Sequence, residues 1–405
     1  SLFTGDAGQG ESNIRRWIIE NDWLEAIVAL PLNLFYNTGI ATYVWVLSNR
    51  KPAHRKGQVQ LIDASQWFKP LRKNLGKKNC ELSPEDIERI SRSFLDFQET
   101  PESKIFPNAA FGYWKVTVER PLRLHSQLTL KAIETLRFTS GDEDIRATLY
   151  EEFGDDLFTR FAKVSTALEQ RLAEWGSDED EDDDEAEGGT RKGVPEKKRK
   201  KLLDPKTWER DGRLVEVATK LRAALGEALF EDHNLFRDRV EAALKRAGIK
   251  LAAADRKQIL KAVSWRDESA PPVIAKVHKP GKAKPDPLHG PFPLPSTAGR
   301  GIGGEGFVVE YEPDADLRDT EQVPLLEDGG PENDGILAFI RREVLPYTPD
   351  AWIKAEATRI GYEVSFTRHF YQPQPLRTLE EISADILAIE KEAEGLLDGL
   401  LKGSH

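Results

Sequence analysis

Two apolar runs near the start of the chain, Leu24–Leu30 and Ile40–Leu47, are rich in branched and aromatic residues and end in turn or polar residues. Each has strand length, and near-continuous apolar strands belong inside a sheet covered on both faces, as in α/β proteins. Between them lies Pro31-Leu-Asn-Leu-Phe-Tyr-Asn-Thr-Gly39, a loop with two adjacent aromatics. A loop at the end of such a strand is where open α/β sheets place ligands. The plainer alternative is a buried hairpin whose Phe35 and Tyr36 cap the core.

The pattern continues in both directions. Ser12 reads as the N-cap of a helix over 13–20, after a Gly-rich loop that lacks the Gly-Lys-Ser/Thr of a phosphate cradle. Gln58–Asp63 is a further strand. Ser83-Pro-Glu-Asp86 starts a helix to about Phe97, with a hydroxyl cap, Pro in the first turn and acids at the positive end of the dipole. Phe111–Val118 is a strand. From Leu128 to Trp175, and again over 205–263, apolar residues recur at three and four, so both stretches are helical. Phe307–Tyr311 is a strand, Ile336–Val344 a helix, and Tyr362–Tyr371 alternates as a strand. Gly301-Ile-Gly-Gly-Glu-Gly306 precedes a strand instead of joining a strand to a helix, so it is no dinucleotide loop. A last helix begins at Thr378, where Thr378 and Glu381 form a capping box. Along it Leu379, Ile386, Ala393 and Leu400 share one heptad position and Ile382, Ile389 and Leu396 the other, the spacing of a helix–helix seam. Packing on the chain's own helices is the alternative to packing on a partner.

Charge changes this picture in two places. Residues 178–187 carry nine acidic groups, followed by Lys197-Lys-Arg-Lys-Lys201; like-charge blocks repel and bury nothing, so 176–204 reads as a charged, disordered linker. Lys69–Lys78 holds five Lys or Arg around a Gly, a basic loop that is either solvated or set against phosphate. The net charge of −11 argues against a free-standing binder of phosphate backbone, but without the acidic run the remainder is about −2. No run approaches the ~20 apolar residues of a membrane helix. One cysteine, Cys80, excludes an internal disulfide and fits a reducing cytoplasm, and the seven His form no metal-ligand pair.

The stretch Glu20-Asn-Asp-Trp-Leu-Glu-Ala-Ile-Val-Ala-Leu-Pro31, with Leu34-Phe-Tyr-Asn-Thr-Gly-Ile40, closely resembles the modification subunit of type I restriction–modification systems. Similar segments recur at Ala262-Val-Ser-Trp-Arg-Asp-Glu-Ser-Ala-Pro-Pro-Val273, Asp319-Thr-Glu-Gln-Val-Pro-Leu325 and Phe366-Thr-Arg-His-Phe-Tyr371. The resemblance implies the second half of a Rossmann-like methyltransferase sheet, followed by a mostly helical region ending in a coiled-coil-type helix. It implies methyl transfer from S-adenosylmethionine to the exocyclic amine of adenine in DNA. The family's Asn-Pro-Pro-aromatic motif and cofactor loop have no match here, so the chain reads as a C-terminal portion, and it supplies no catalytic and no cofactor-binding residue. Gly403-Ser404-His405 reads as the remnant of a tag, and no Met occurs.

On this reading residues 1–125 complete the catalytic domain, 126–175 are a helical segment, 205–270 a helical domain, 271–377 a mixed loop and strand region, and 378–402 an interaction helix. An adenine flipped out of the duplex needs a flat apolar surface. The resemblance assigns that role to Phe35, with Tyr36 as runner-up, while Asn37, Thr38, Arg72 and Lys73 shape the loop or contact DNA. Leu379, Ile382, Ile386, Ile389 and Leu396 would dock the specificity subunit, in a cytoplasmic complex with a restriction subunit and two modification subunits. The competing class is a non-enzymatic helical scaffold of a DNA-binding complex.

Overall fold

A computed structural model describes Phe3, residues 5–175, 194–294, 306–327, 335–371 and 378–402; the side chains of 392 and 394–402 are outside the description. The expected acidic stretch up to residue 193, most of the Gly301–Gly306 segment, the terminal 403–405 and the seam positions Leu396 and Leu400 therefore lie outside the described residues or side chains. The protein is a mixed α/β chain. It divides into two compact units, one of residues 1–115, 322–330 and 359–405, the other of 116–321 and 331–358.

The first unit opens with α1 (Gly10–Glu20), β1 (Leu24–Ala29), β2 (Tyr43–Leu47) and β3 (Gln58–Asp63). Next come β4 (Lys69–Leu75), β5 (Lys78–Glu81), α2 (Pro84–Asp96), β6 (Ser103–Pro107) and β7 (Gly112–Glu119), which runs on into the second unit. Four strands form a sheet in the order β2-β1-β3-β6. Within it β1 and β3 are parallel, and β2 and β6 flank them antiparallel. All six residues of β1 are buried, Glu25 among them beside buried Arg55, as its near-continuous apolar run leads one to expect. Successive side chains point to opposite faces. Ile27, Ala29, Val59 and Leu61 join Ile19 and Phe111 on one side. Val28 and Ile62 meet Ala64 and Trp67 on the other, with Ile90 and Phe94 of α2 packed against them.

Three expectations need correction here. β2 is not interior: it begins at Tyr43, not Ile40, and lies at the sheet edge with Val44 and Leu47 exposed. Its aromatic content serves one face only. The basic stretch at 69–78 is not a loop but the antiparallel hairpin β4–β5, turning at Gly76. Ser12 is not the cap of α1, whose N-cap is Gln9; buried within the first turn, Ser12 accepts from the Tyr362 amide through Oγ at 3.1 Å. The Ser83 cap on α2 is as the sequence indicates, a reciprocal capping box with Asp86.

In the second unit, α3 (Leu130–Glu134), α4 (Glu143–Phe153), α5 (Asp156–Thr159), α6 (Phe161–Glu174), α7 (Glu196–Leu202), α8 (Pro205–Leu225), α9 (His233–Arg246) and α10 (Ala253–Ala262) form two helical cores. One gathers Leu136, Leu214, Leu221, Phe236 and Ile259; the other Leu149, Leu157, Leu168, Leu202 and Trp208. α7 corrects the boundary of the charged linker. Its Lys and Arg face solvent, but Leu202 is buried against Trp208, whose Nε1 donates to the Leu202 carbonyl at 2.8 Å. Short strands follow: β8 (Leu124–Ser126) with β9 (Ser264–Arg266), then β10 (Ile274–His278), β11 (Pro291–Pro293) and β12 (Val308–Tyr311) in the order β10-β12-β11. β13 (Asp319–Pro324) runs into the first unit, and α11 (Ile336–Phe339), continuing as a π-turn over Ile340–Val344, and β14 (Trp352–Ile353) complete the second.

The chain then returns to the first unit. β15 (Arg359–Tyr362) pairs antiparallel with the start of β7, and α12 (Phe366–Phe370) packs Phe366 beside Tyr43. The single strand expected over 362–371 is thus a strand end, a turn and a short helix. Arg15 of α1 is buried and donates through Nε to the Tyr362 carbonyl at 2.5 Å, which ties the start of the chain to β15. α13 (Leu379–Lys402) closes the chain, capped by Thr378, whose Oγ1 accepts from the Glu381 amide at 3.2 Å.

Candidate nucleic-acid interface

The loop after β1 and the hairpin after β3 both lie beyond the carboxyl ends of the two parallel strands, the position at which α/β sheets gather ligands. The loop leaves β1 through buried Pro31, and Leu34 anchors it in the core. Asn33 and Asn37 hold positive φ of 57° and 58°, a conformation asparagine tolerates better than most residues. Between them the backbone turns Phe35 and Tyr36 outward, 48% and 67% exposed. The Thr38 Oγ1 accepts from the Ile40 amide at 3.3 Å and shapes the exit.

The hairpin holds the loop from beneath. The Asn79 amide donates to the Asn33 carbonyl at 3.2 Å, Lys78 Nζ to the Leu34 carbonyl at 2.7 Å, and Cys80 Sγ to the Leu32 carbonyl at 3.2 Å. Burial pushes the Cys80 thiol above its ordinary value against the opposing pull of Lys78, so it is a neutral donor and not a nucleophile. At the turn, Gly76 has φ of 63°, and a Cβ there would stand 2.6 Å from Asn37 Oδ1 and 3.2 Å from Tyr36 Cε2. Tyr36 and Asn37 therefore lie directly on the hairpin tip.

Arg72 and Lys73 are exposed on β4, and among the described residues neither has an acidic partner. The structure thus brings the Phe35–Asn37 turn onto the hairpin that carries Arg72 and Lys73. Sequence reasoning missed Lys78, Cys80 and Gly76, which do the holding; the Gly between basic residues was the visible signal of the turn. Among the described residues no group of His, Cys, Asp or Glu is arranged to hold a metal, and no helix is long and apolar enough to cross a membrane.

The described seam positions of α13, Leu379, Ile382, Ile386 and Ile389, are all exposed, as is Ala393.

Residues 1–112 match the family model described as N-6 DNA Methylase. The type I restriction enzyme MjaVIII methylase subunit of Methanocaldococcus jannaschii is 29% identical over 42% of this chain and 27% of its own length. The MjaIX methylase subunit of the same organism is 38% identical over 23% of this chain and 16% of its own length. The match thus spans only a minor part of either relative. A solved structure, the type I restriction-modification system methyltransferase subunit from Streptococcus thermophilus, is similar over 27% of this chain and 21% of that chain at 25% identity, with a TM-score of 0.23, too low to carry a fold argument. The resemblance read from the sequence holds: the first 112 residues match the N-6 DNA methylase model, and part of the chain is similar to methylase subunits of type I restriction enzymes.

Proposed function

We propose that this chain forms part of the modification subunit of a type I restriction–modification system, a DNA methyltransferase acting on the exocyclic amine of adenine. Its mixed sheet is then the second half of a Rossmann-like methyltransferase sheet, with the parallel pair β1–β3 at its centre. The observation that carries the reading is the exposed Phe35–Tyr36 pair mounted on a basic hairpin at the carboxyl end of that pair. Two adjacent solvent-facing rings form an exposed apolar patch of the kind that marks interaction sites, and a base removed from the stack offers it a flat apolar partner. Arg72 and Lys73 would meet the phosphates beside it, which positions the duplex without reading its sequence.

S-adenosylmethionine is the methyl donor this reading requires. In this reading no residue of the chain is assigned to that cofactor. The contribution of the described residues is to the DNA. Phe35 supplies the stacking face, Asn37 and Thr38 fix the turn, and the hairpin sets its height. The exposed seam of α13 supports a docking role toward the specificity subunit, in a cytoplasmic assembly that also contains the restriction subunit and a second modification subunit.

The test is Phe35→Ala in the full-length subunit. Loss of one stacking face costs about 1–3 kcal/mol per base, so the fluorescence of 2-aminopurine at the target position should fall toward the stacked value and methylation should drop with it. Unchanged fluorescence and rate, with Tyr36→Ala inactive, would transfer the role to Tyr36. If both variants behave as wild type, the loop is not the base-stacking element.

A further inference from the structure

A second concave site lies wholly within the helical unit, where α10 and β9 border β8: a cleft of about 490 Å³. Its apolar lining includes Leu122, Leu124 and Leu260, and Trp265 stands at its side, 43% exposed and set edge-on to His125 at 6.2 Å between ring centres. The volume is within the range of small-ligand sites. The charge of its lining is one-sided. Arg237, Arg256, Lys257, Lys261 and Arg266 line it against a single acid, Glu312.

These cations are not equivalent. Arg237 donates to the Ile274 carbonyl at 3.0 Å, Arg256 to Glu241 at 2.9 Å, and Arg266 to Asp314 at 2.8 Å. The three arginines are thus committed to the protein. Lys257 and Lys261 are exposed, and among the described residues neither has an acidic partner. They stand one turn apart on α10, hence as neighbours on one face. His233, at the base, adds no charge: burial holds its pKa at about 4, and its Nδ1 shares a hydrogen bond with Ser126 Oγ at 2.8 Å.

We infer that this cleft binds a single-stranded segment of nucleic acid, with one unstacked base on Trp265 over the leucine floor and adjacent phosphates on Lys257 and Lys261. A basic groove interleaved with an exposed aromatic is the recurring form of such sites. A duplex keeps its bases stacked and would leave the Trp265 face and the apolar floor unused. The inference does not rest on the methyltransferase reading and concerns none of the residues that carry it.

The experiment is fluorescence anisotropy of the full chain with a labelled thymidine 20-mer, single-stranded and as a duplex, over a salt series. The wild type should prefer the single strand. Lys257→Ala/Lys261→Ala should weaken it and flatten the log–log salt slope by about 0.7 per lost phosphate contact. Trp265→Ala should weaken it about tenfold with the slope unchanged, and Trp265→Phe should recover much of the loss. Both lysines are exposed and unpaired among the described residues, so the double variant should fold as the wild type. Equal binding by all forms, absence of single-strand binding, or a loss in the lysine variant without one in Trp265→Ala would each overturn the inference; the last would leave only a basic surface. Arg72→Ala/Lys73→Ala on the duplex separates the two regions, since its effect reports on the hairpin alone.

Discussion

Gly76 is the point at which the aromatic loop can be moved without touching an aromatic. In Gly76→Ala two penalties act together. The residue keeps φ of 63°, which costs a non-glycine residue roughly 1–2 kcal/mol. Its new Cβ would also stand 2.6 Å from Asn37 Oδ1 and 3.2 Å from Tyr36 Cε2, so the loop must lift or Asn37 must rotate. The hairpin is exposed on most of its residues, so the cost falls on local opening and not on the global fold. A change of 1–2 kcal/mol is about a 5–30-fold change in an equilibrium. Hydrogen exchange of the Asn79 amide, which donates to the Asn33 carbonyl, should accelerate by about that factor, with the thermal midpoint nearly unmoved. Gly57→Ala is the control, because Gly57 also has positive φ (73°) but nothing within 4 Å of a new Cβ. It should leave Asn79 untouched. Wild-type protection of Asn79 in Gly76→Ala would refute the claim that the loop rests on the hairpin.

Asp211→Ala should destabilise the helical unit by about 3–5 kcal/mol in urea titrations, because it strands the fully buried Arg146, bonded to Asp211 at 2.9 Å and lying 3.5 Å over the Trp208 ring. Arg146→Met/Asp211→Leu should recover only part of that, since the Ser140 amide and the Thr139 hydroxyl also donate to Asp211. Asp22 gives a pH signature. Burial raises its pKa, but hydrogen bonds from Lys51, Asn108 and the Gly57 amide outweigh this and hold it below the ordinary 3.8. Its contribution is therefore complete above that ordinary value and is lost as pH falls through the lower folded value, so acid titration of Asp22→Asn should show a shallower loss of stability than wild type. Deleting 378–402 should leave the remaining core folded and abolish co-purification with the specificity subunit; retained co-purification, or outright unfolding, would assign the helix to the fold instead.

Parts of this architecture were written plainly in the chain. β3 occupies Gln58–Asp63 as its pattern indicates, and the Ser83 box starts α2 where expected. β6 was not legible, because Ser103, Lys104 and Pro107 do not read as a strand. What places it is its antiparallel pairing with β3, joined by a buried polar bond from Gln60 Nε2 to Ser103 Oγ at 2.9 Å. α7 was hidden by its charge, which outweighs Leu202 in any count although Leu202 is the residue the helical core buries. Phe35, Tyr36, Arg72 and Lys73 were each visible as candidates. Their assembly was not, for it depends on backbone carbonyls at Leu32, Asn33 and Leu34 that carry no side-chain signature.

The tie between α1 and β15 has a consequence for biosynthesis. Arg15 and Ser12 find their partner at Tyr362, and Tyr362, Val364 and Phe366 share one apolar cluster with Ile19, Leu24 and Leu61. On the ribosome the β2-β1-β3-β6 sheet emerges well before the residues that seal one of its faces. Synthesis runs at about 5–20 residues per second, so the wait for Arg359–Phe370 is on the order of tens of seconds. The helical unit, continuous over most of its length and rich in local contacts, can condense during that interval. The half-covered sheet, with β2 exposed at its edge, is then the species most in need of a chaperone.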